Sequence, residues 1–194
     1  DAETLFARLR DSLKDALGVS CNGLAQGGAD APNGEGAAGC CSGAAPAGGE
    51  DSPAFIGIHT GGAWLAARLH AELGLSSPLG FLSSAFYRDD VQARGLSMRM
   101  QPTRIDFDVN GRDIVLVDDI LHTGRTIRAA LNEIFDYGRP ARVRLAVLID
   151  RGGRELPVQP DHVGARLVLQ PGEKLALSQR TNGMFELRVE TVQA

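Results

Sequence analysis

From residue 53 onward, short apolar runs alternate with amphipathic segments of helical length, and this alternation restricts the fold more than any other feature. Residues 53–58 (PAFIGI) predict a strand, broken by Gly61 and Gly62. Residues 63–74 then place Leu65, Leu69 and Leu73 on one helical face. Residues 79–88 are strand-like, 89–103 form a long polar loop, and 104–109 (RIDFDV) alternate as a strand before the Asn110-Gly111 turn. The run 114–117 (IVLV) has the unbroken apolar character of a strand buried on both faces. A helix over 124–138 follows, with Ile127, Ala130, Leu131 and Ile134 inward, then a strand over 142–150 and shorter β-prone pieces (RLVL, KLAL, MFELRVE). Strands and helices in this alternation imply an α/β fold with a mainly parallel sheet flanked by helices. Ligands of such sheets gather at the C-terminal ends of the strands.

The first half of the chain is different. Residues 1–17 carry Leu5, Leu9, Leu13 and Leu17 on one stripe, stopped by Gly18, which predicts a packing helix. Between 21 and 50 stand nine Gly and eight Ala, and every charge from 21 through Asp51 is acidic. So little apolar bulk cannot offset the entropy of ordering. The expected organisation is therefore an N-terminal helix over 1–20, a flexible insertion over 21–52 and a core over 53–194. Residues 34–39 spell GxGxxG by composition only, because the strand and helix that would aim the motif at a dinucleotide are missing. All three cysteines (Cys21, Cys40, Cys41) fall in or beside this stretch with no His or further Cys at ligand spacing, so they read as free thiols in a reducing, cytoplasmic setting. The formal charge of -4, from 20 basic and 24 acidic residues, argues against a strongly basic nucleic-acid binder while leaving room for a local basic face. No apolar run approaches the ~20 residues of a membrane span.

The chemistry concentrates in residues 115–126 (VLVDDILHTGRT). A hydrophobic strand delivers Asp118 and Asp119 to its C-terminal end, and Ile120, Leu121, His122, Thr123, Gly124, Arg125 and Thr126 turn into the next helix. The N–H groups of such a turn, with the helix dipole, suit a phosphate. Adjacent carboxylates suit vicinal hydroxyls, or Mg²⁺ through water. Together they describe a ribose 5-phosphate. A strand-end turn with Thr123 as an ordinary helix cap would explain either half alone, but not the two on one strand–loop–helix.

This stretch resembles the PRPP-binding motif of type I phosphoribosyltransferases. Residues 57–69 (GIHTGGAWLAARL), 86–90 (FYRDD), 105–131 and 147–164 (VLIDRGGRELPVQPDHVG) resemble, in that order, the PyrR family of pyrimidine operon regulators that are also uracil phosphoribosyltransferases. The resemblance implies the type I phosphoribosyltransferase fold, with a small hood and a flexible lid loop, and transfer of ribosyl 5-phosphate from PRPP to uracil to give UMP and pyrophosphate. It implies Mg²⁺ brought by PRPP with no direct protein ligand, Asp118 and Asp119 being the candidates to contact it. Asp118, Asp119 and Arg88 are the implied catalytic residues. The implied pyrophosphate loop includes His59, Thr60, Gly61 and Gly62, with Gly61 where the family often has Arg. The missing charge would come from Mg²⁺ and from Arg88, Arg94, Arg99 or Arg104. Arg151 and Val163 are placed near the base. His59 and His122 are weaker candidates for a general base, and Trp64 is expected to pack in the core behind the loop.

The family further implies a homodimer or larger oligomer and, as an alternative function, UMP-dependent binding of a pyr messenger leader. Here Gly153, Gln159 and Ala165-Arg166 depart from the family's basic pattern, although Arg142, Arg144, Arg151, Arg154 and Arg166 remain to form a patch. A different base, orotate or a purine, is the third reading.

Overall fold

The computed structural model describes residues 1–19, 52–83 and 101–191. The expected insertion, the cysteines, and Arg88, Arg94 and Arg99 lie outside them. The described elements are α1 (Ala2–Leu17), β1 (Ala54–Ile58), α2 (Gly61–Glu72), β2 (Leu79–Leu82), β3 (Asp113–Leu121), α3 (Arg125–Tyr137), β4 (Arg142–Asp150), β5 (His162–Arg166), β6 (Glu173–Gln179) and β7 (Phe185–Thr191). Strands β2-β1-β3-β4-β5 form a parallel sheet, and β6 and β7 form a separate antiparallel pair. Among the described residues no helix is long and apolar enough to cross a membrane.

Period-two alternation divides the sheet between two cores. Val115, Val117, Ala146 and Leu148 pack with α1 and α2, while Ile114, Leu116, Leu145 and Val147 pack with Ile127, Ala130 and Ile134 of α3. The chain leaves β1 toward β2 and leaves β3 toward β4, so the strand order reverses between β1 and β3. At such a switch point the loops after the two strands diverge and leave a crevice at the strands' C-terminal ends.

Four expectations change. Gly61 and Gly62 do more than break β1, because they are the first residues of α2. A Cβ on Gly57 would stand 2.7 Å from the Ala63 Cα, and one on Gly62 would stand 2.5 Å from the Val117 carbonyl oxygen. Only glycine lets the helix start this close to β1 and β3. Residues 104–109 are not a strand: Arg104 makes a single bridge to Phe81 of the short edge strand β2, and the alternation instead buries Ile105 and Val109 against the α3-side core. The acidic pair lies inside β3, which runs on to Leu121. In α1 the fully covered stripe is Ala2, Phe6, Leu9 and Leu13, whose mixed steps of four and three follow the 3.6-residue turn better than constant steps of four. Leu5 and Leu17 flank it, partly buried.

Candidate active site

Two loops meet at the switch point. The first follows β1: the His59 N–H donates to the Leu82 carbonyl at 2.8 Å, the His59–Thr60 peptide is cis, and α2 begins at once. The second follows β3 and opens α3. Neither helix has an acidic residue in its first turn, and neither Thr60 nor Gly124 caps its helix with a side chain. Two helix N-termini whose own first turns carry no acidic residue thus stand at neighbouring parallel strands, which run about 4.8 Å apart.

Asp118 and Asp119 lie between them. The pleat is disturbed here: Ile114 and Leu116 belong to the α3-side core, yet Ile120 packs on the other side with α1 and α2. Asp118 is buried and accepts the Asp119 N–H at 3.0 Å. Asp119 is half-buried, and its carboxylate fills the space where a Cβ on Gly61 would stand. The missing side chain at 61 and the acidic residue on β3 are therefore one steric arrangement.

In the second loop Gly124 has φ 92, a conformation that favours glycine, and the nearest atoms to a Cβ there, on Leu156 and Val158, leave ordinary contact distances. The demand is conformational rather than spatial. Thr123 is buried and its Oγ1 accepts the Arg125 N–H at 3.3 Å, so it contributes to the start of α3. Arg125 is exposed, and its guanidinium pairs with Glu155 at 2.5 Å. Such an exposed pair contributes about 0–1 kcal/mol. Thr126 is half-buried in the first turn of α3.

Behind this loop runs the segment after β4. Burial works to raise the Asp150 pKa, but the Gly152 N–H and the Arg154 and Arg166 guanidiniums outweigh it, and the carboxyl stays below its usual range. Gly153, at φ 69, leaves room for the His122 ring. Arg151 follows β4 directly. Val163 pairs with Val147, level with Asp118 across the sheet, and packs on the α3-side core, three residues short of the end of β5. The fold therefore brings residues 59–61, 118–126 and 150–156 together, with Val163 two strands from Asp118 at the same level of the sheet.

The five arginines of the supposed patch do not form one surface. Arg142 and Arg144 begin β4, whereas Arg151, Arg154 and Arg166 lie beyond or level with its other end, about 25 Å away at 3.3 Å per residue. Arg144 is also largely covered, 3.8 Å from Asp113. Trp64 packs against the α1–α2 core as expected, but it is only half-buried and also lines a cavity of about 770 Å³. That cavity lies between α2 and the β6–β7 turn, with Arg68, Phe81, Asn182 and Met184 among its walls. It shares His59 and Thr60 with the site and none of residues 118–126, so it is a neighbour of the crevice rather than the crevice itself. In the sequence the segment 150–156 stands out by its family resemblance, which places Arg151 near the base, and by its arginines; its hold on the β3–α3 loop is not legible there beyond the Asp150/Arg154 spacing of four.

Residues 41–167 match the phosphoribosyl transferase domain family. The chain is 56% identical over 130 residues to the bifunctional protein PyrR of Nitrosococcus oceani, covering 66% of this chain and 73% of the relative. It is 53% identical over 129 residues to that of Pseudomonas aeruginosa (66% and 76%) and 55% identical over 127 residues to that of Ralstonia nicotianae (66% and 72%). In fold it is similar to the hypoxanthine-guanine phosphoribosyltransferase of Bacillus anthracis, with TM-score 0.56 and 15% identity over 86% of this chain and 81% of that one. The hypoxanthine phosphoribosyltransferase of Trypanosoma cruzi is similar too, with TM-score 0.54 and 18% identity over 86% and 79%. A crevice with an anion-suited helix start on each side and carboxylates between them is what a phosphorylated sugar with a second phosphate-bearing arm requires, and with these likenesses it makes the chain an enzyme of the type I phosphoribosyltransferase fold, a member of the PyrR family.

Proposed function

We propose that the protein converts uracil and PRPP to UMP and pyrophosphate. The observation that carries this is the pair of helix starts at adjacent strands, neither with an acidic residue in its own first turn, with Asp118 and Asp119 between them. One start, at 122–126, takes the 5-phosphate; the other, at 59–62, takes the pyrophosphate. Asp119, against Gly61, is positioned for the ribose hydroxyls, while the more deeply buried Asp118 holds the Asp119 backbone. Pyrophosphate leaves C1 with its bonding electrons, the sugar becomes oxocarbenium-like, and uracil N1 forms the new bond as it loses its proton. Catalysis then rests on holding both arms and stabilising the leaving group, with no covalent nucleophile. Arg151 near the base, Arg88 at the pyrophosphate and Val163 at the pocket wall remain parts of this reading.

Among the described residues no three His, Cys, Asp or Glu side chains group as a ligand set. Two carboxylates with substrate oxygens and water suit the habits of Mg²⁺. When bound, the ion would neutralise pyrophosphate charge, with Asp118 and Asp119 as the protein's share of its surroundings. The same reading places the protein in the cytoplasm as a homodimer or larger oligomer, built from an N-terminal helix, the 21–52 insertion and the core. Assays with uracil, orotate and hypoxanthine, each with PRPP and Mg²⁺, test the base: turnover of uracil supports the assignment, and turnover of hypoxanthine without uracil sinks it. Asp119→Asn is expected to lower kcat/KM by at least about tenfold with an unchanged circular dichroism spectrum.

A second reading, UMP-responsive binding of messenger leader RNA, is favoured by the name of the relatives, bifunctional protein PyrR. Arg142 and Arg166 are exposed enough to meet phosphates, but they stand at opposite ends of the sheet.

A further inference from the structure

The segment after β4 grips the β3–α3 loop by three consecutive carbonyls. The Leu121 oxygen accepts the Arg151 N–H at 3.0 Å, and the Thr123 oxygen accepts the Glu155 and Leu156 N–H groups at 3.0 and 3.2 Å. The middle carbonyl, of His122, accepts from Arg154 Nη1 at 2.7 Å. In a planar trans peptide the C=O and the N–H point in opposite directions, and the peptides here are trans. Holding these carbonyls on one side therefore turns the N–H groups of His122, Thr123 and Gly124 to the other. Backbone donors fix the outer two peptides; the middle one depends on a side chain.

That side chain is itself fixed. Arg154 Nη2 donates to Asp150 Oδ1 at 2.6 Å, Nε donates to the Val158 carbonyl at 3.0 Å, and Nη1 also reaches the Gly152 and Leu121 carbonyls at 3.3 and 3.4 Å. Asp150 Oδ1 also accepts the Gly152 N–H at 3.0 Å. A planar guanidinium presents five donors in a rigid fork, which an ammonium cannot imitate.

We propose that Arg154, oriented by Asp150, is a positioning residue that presents the 122–124 N–H groups to the 5-phosphate of the sugar. This rests on the reading of 122–126 as the 5-phosphate loop. Calorimetric titration of the full chain with ribose 5-phosphate and, separately, with Mg²⁺-pyrophosphate tests it. Arg154→Gln is expected to weaken ribose 5-phosphate by about tenfold, the scale of a lost orienting contact, while pyrophosphate changes by less than about twofold. Arg154→Lys should fall nearer the Gln variant than the wild type, and millimolar guanidinium should partly restore an Arg154→Ala variant. Equal weakening of both ligands, or of neither, overturns the inference. If Arg154→Gln does not fold, Asp150→Asn replaces it: about threefold weaker ribose 5-phosphate at unchanged pyrophosphate affinity supports the role, and any parallel response overturns it. Selective loss of ribose 5-phosphate in a protein that does not turn over uracil would uphold this inference and sink the uracil assignment. A wild type that binds pyrophosphate but no ribose 5-phosphate would overturn both the inference and the loop reading beneath it.

Discussion

Gly153 and His122 compete for one volume. A Cβ at 153 would stand 2.8 Å from His122 Nε2, and φ 69 makes any other residue there costly. Gly153→Ala is expected to destabilise the fold by about 1–2 kcal/mol and, by displacing the ring, to raise the KM for PRPP more than that for the base; urea melts and initial rates measure the two effects. Nothing in the sequence announces this contact, because the two residues are 31 positions apart and meet only through the β3–β4 register. The acidic pair was legible because its partners are local: the hydroxyl-bearing turn lies within a few residues of it. Arg154 was not. In the sequence it looks like surface charge, and only the fold turns it inward onto the His122 carbonyl.

At the scale of elements, α1 docks on β5 through close contacts. A Cβ on Gly164 would stand 2.8 Å from the Leu5 carbonyl oxygen, and the Ser12 Oγ lies 3.0 Å from Nδ1 of the buried His162. Burial first, and Arg144 second, hold the His162 pKa below 6.5 against the opposing pull of Asp161. The unfolded chain therefore takes up this proton before the folded one does. The stability it contributes is complete above about pH 6.5 and is lost as pH falls from there through the lower folded value. Thermal melts between pH 7.5 and 5.5 should show that loss, and His162→Asn should flatten it. On the other side of α1, Arg68 stacks on Phe6 and Phe185 at 4.4 and 5.1 Å from their centroids while pairing with Glu3 and Glu72, each at 2.8 Å. Arg68→Ala is expected to cost about 2 kcal/mol in urea denaturation, since partial exposure moderates both contributions. The helices and buried strands were legible from their periodicity. Residues 104–109 misled because side-chain alternation reports which faces are covered, and a segment can cover a core in that pattern with one bridge and no ladder.

For the whole molecule, charge placement bears on the RNA reading. With a net charge of -4, Arg154 engaged internally and the other four arginines of the expected patch divided between two ends of the sheet, that patch can neutralise few phosphates at once. Filter binding of leader RNA with UMP should therefore be weak and change little between about 50 and 200 mM salt; tight binding with a steep salt dependence would establish the RNA role. The division into two cores has a mechanical meaning as well. Leu69 of α2 and Ile134 of α3 are both fully buried, on opposite faces of the sheet. Leu69→Ala should cost about 2–5 kcal/mol and Ile134→Val about 0.5–1.5 kcal/mol, and their sum should match the double variant within about 0.5 kcal/mol in urea melts. The sheet acts as a bulkhead. Damage in one compartment stays there, and the rim where the two helices begin keeps its shape until the partition itself gives way.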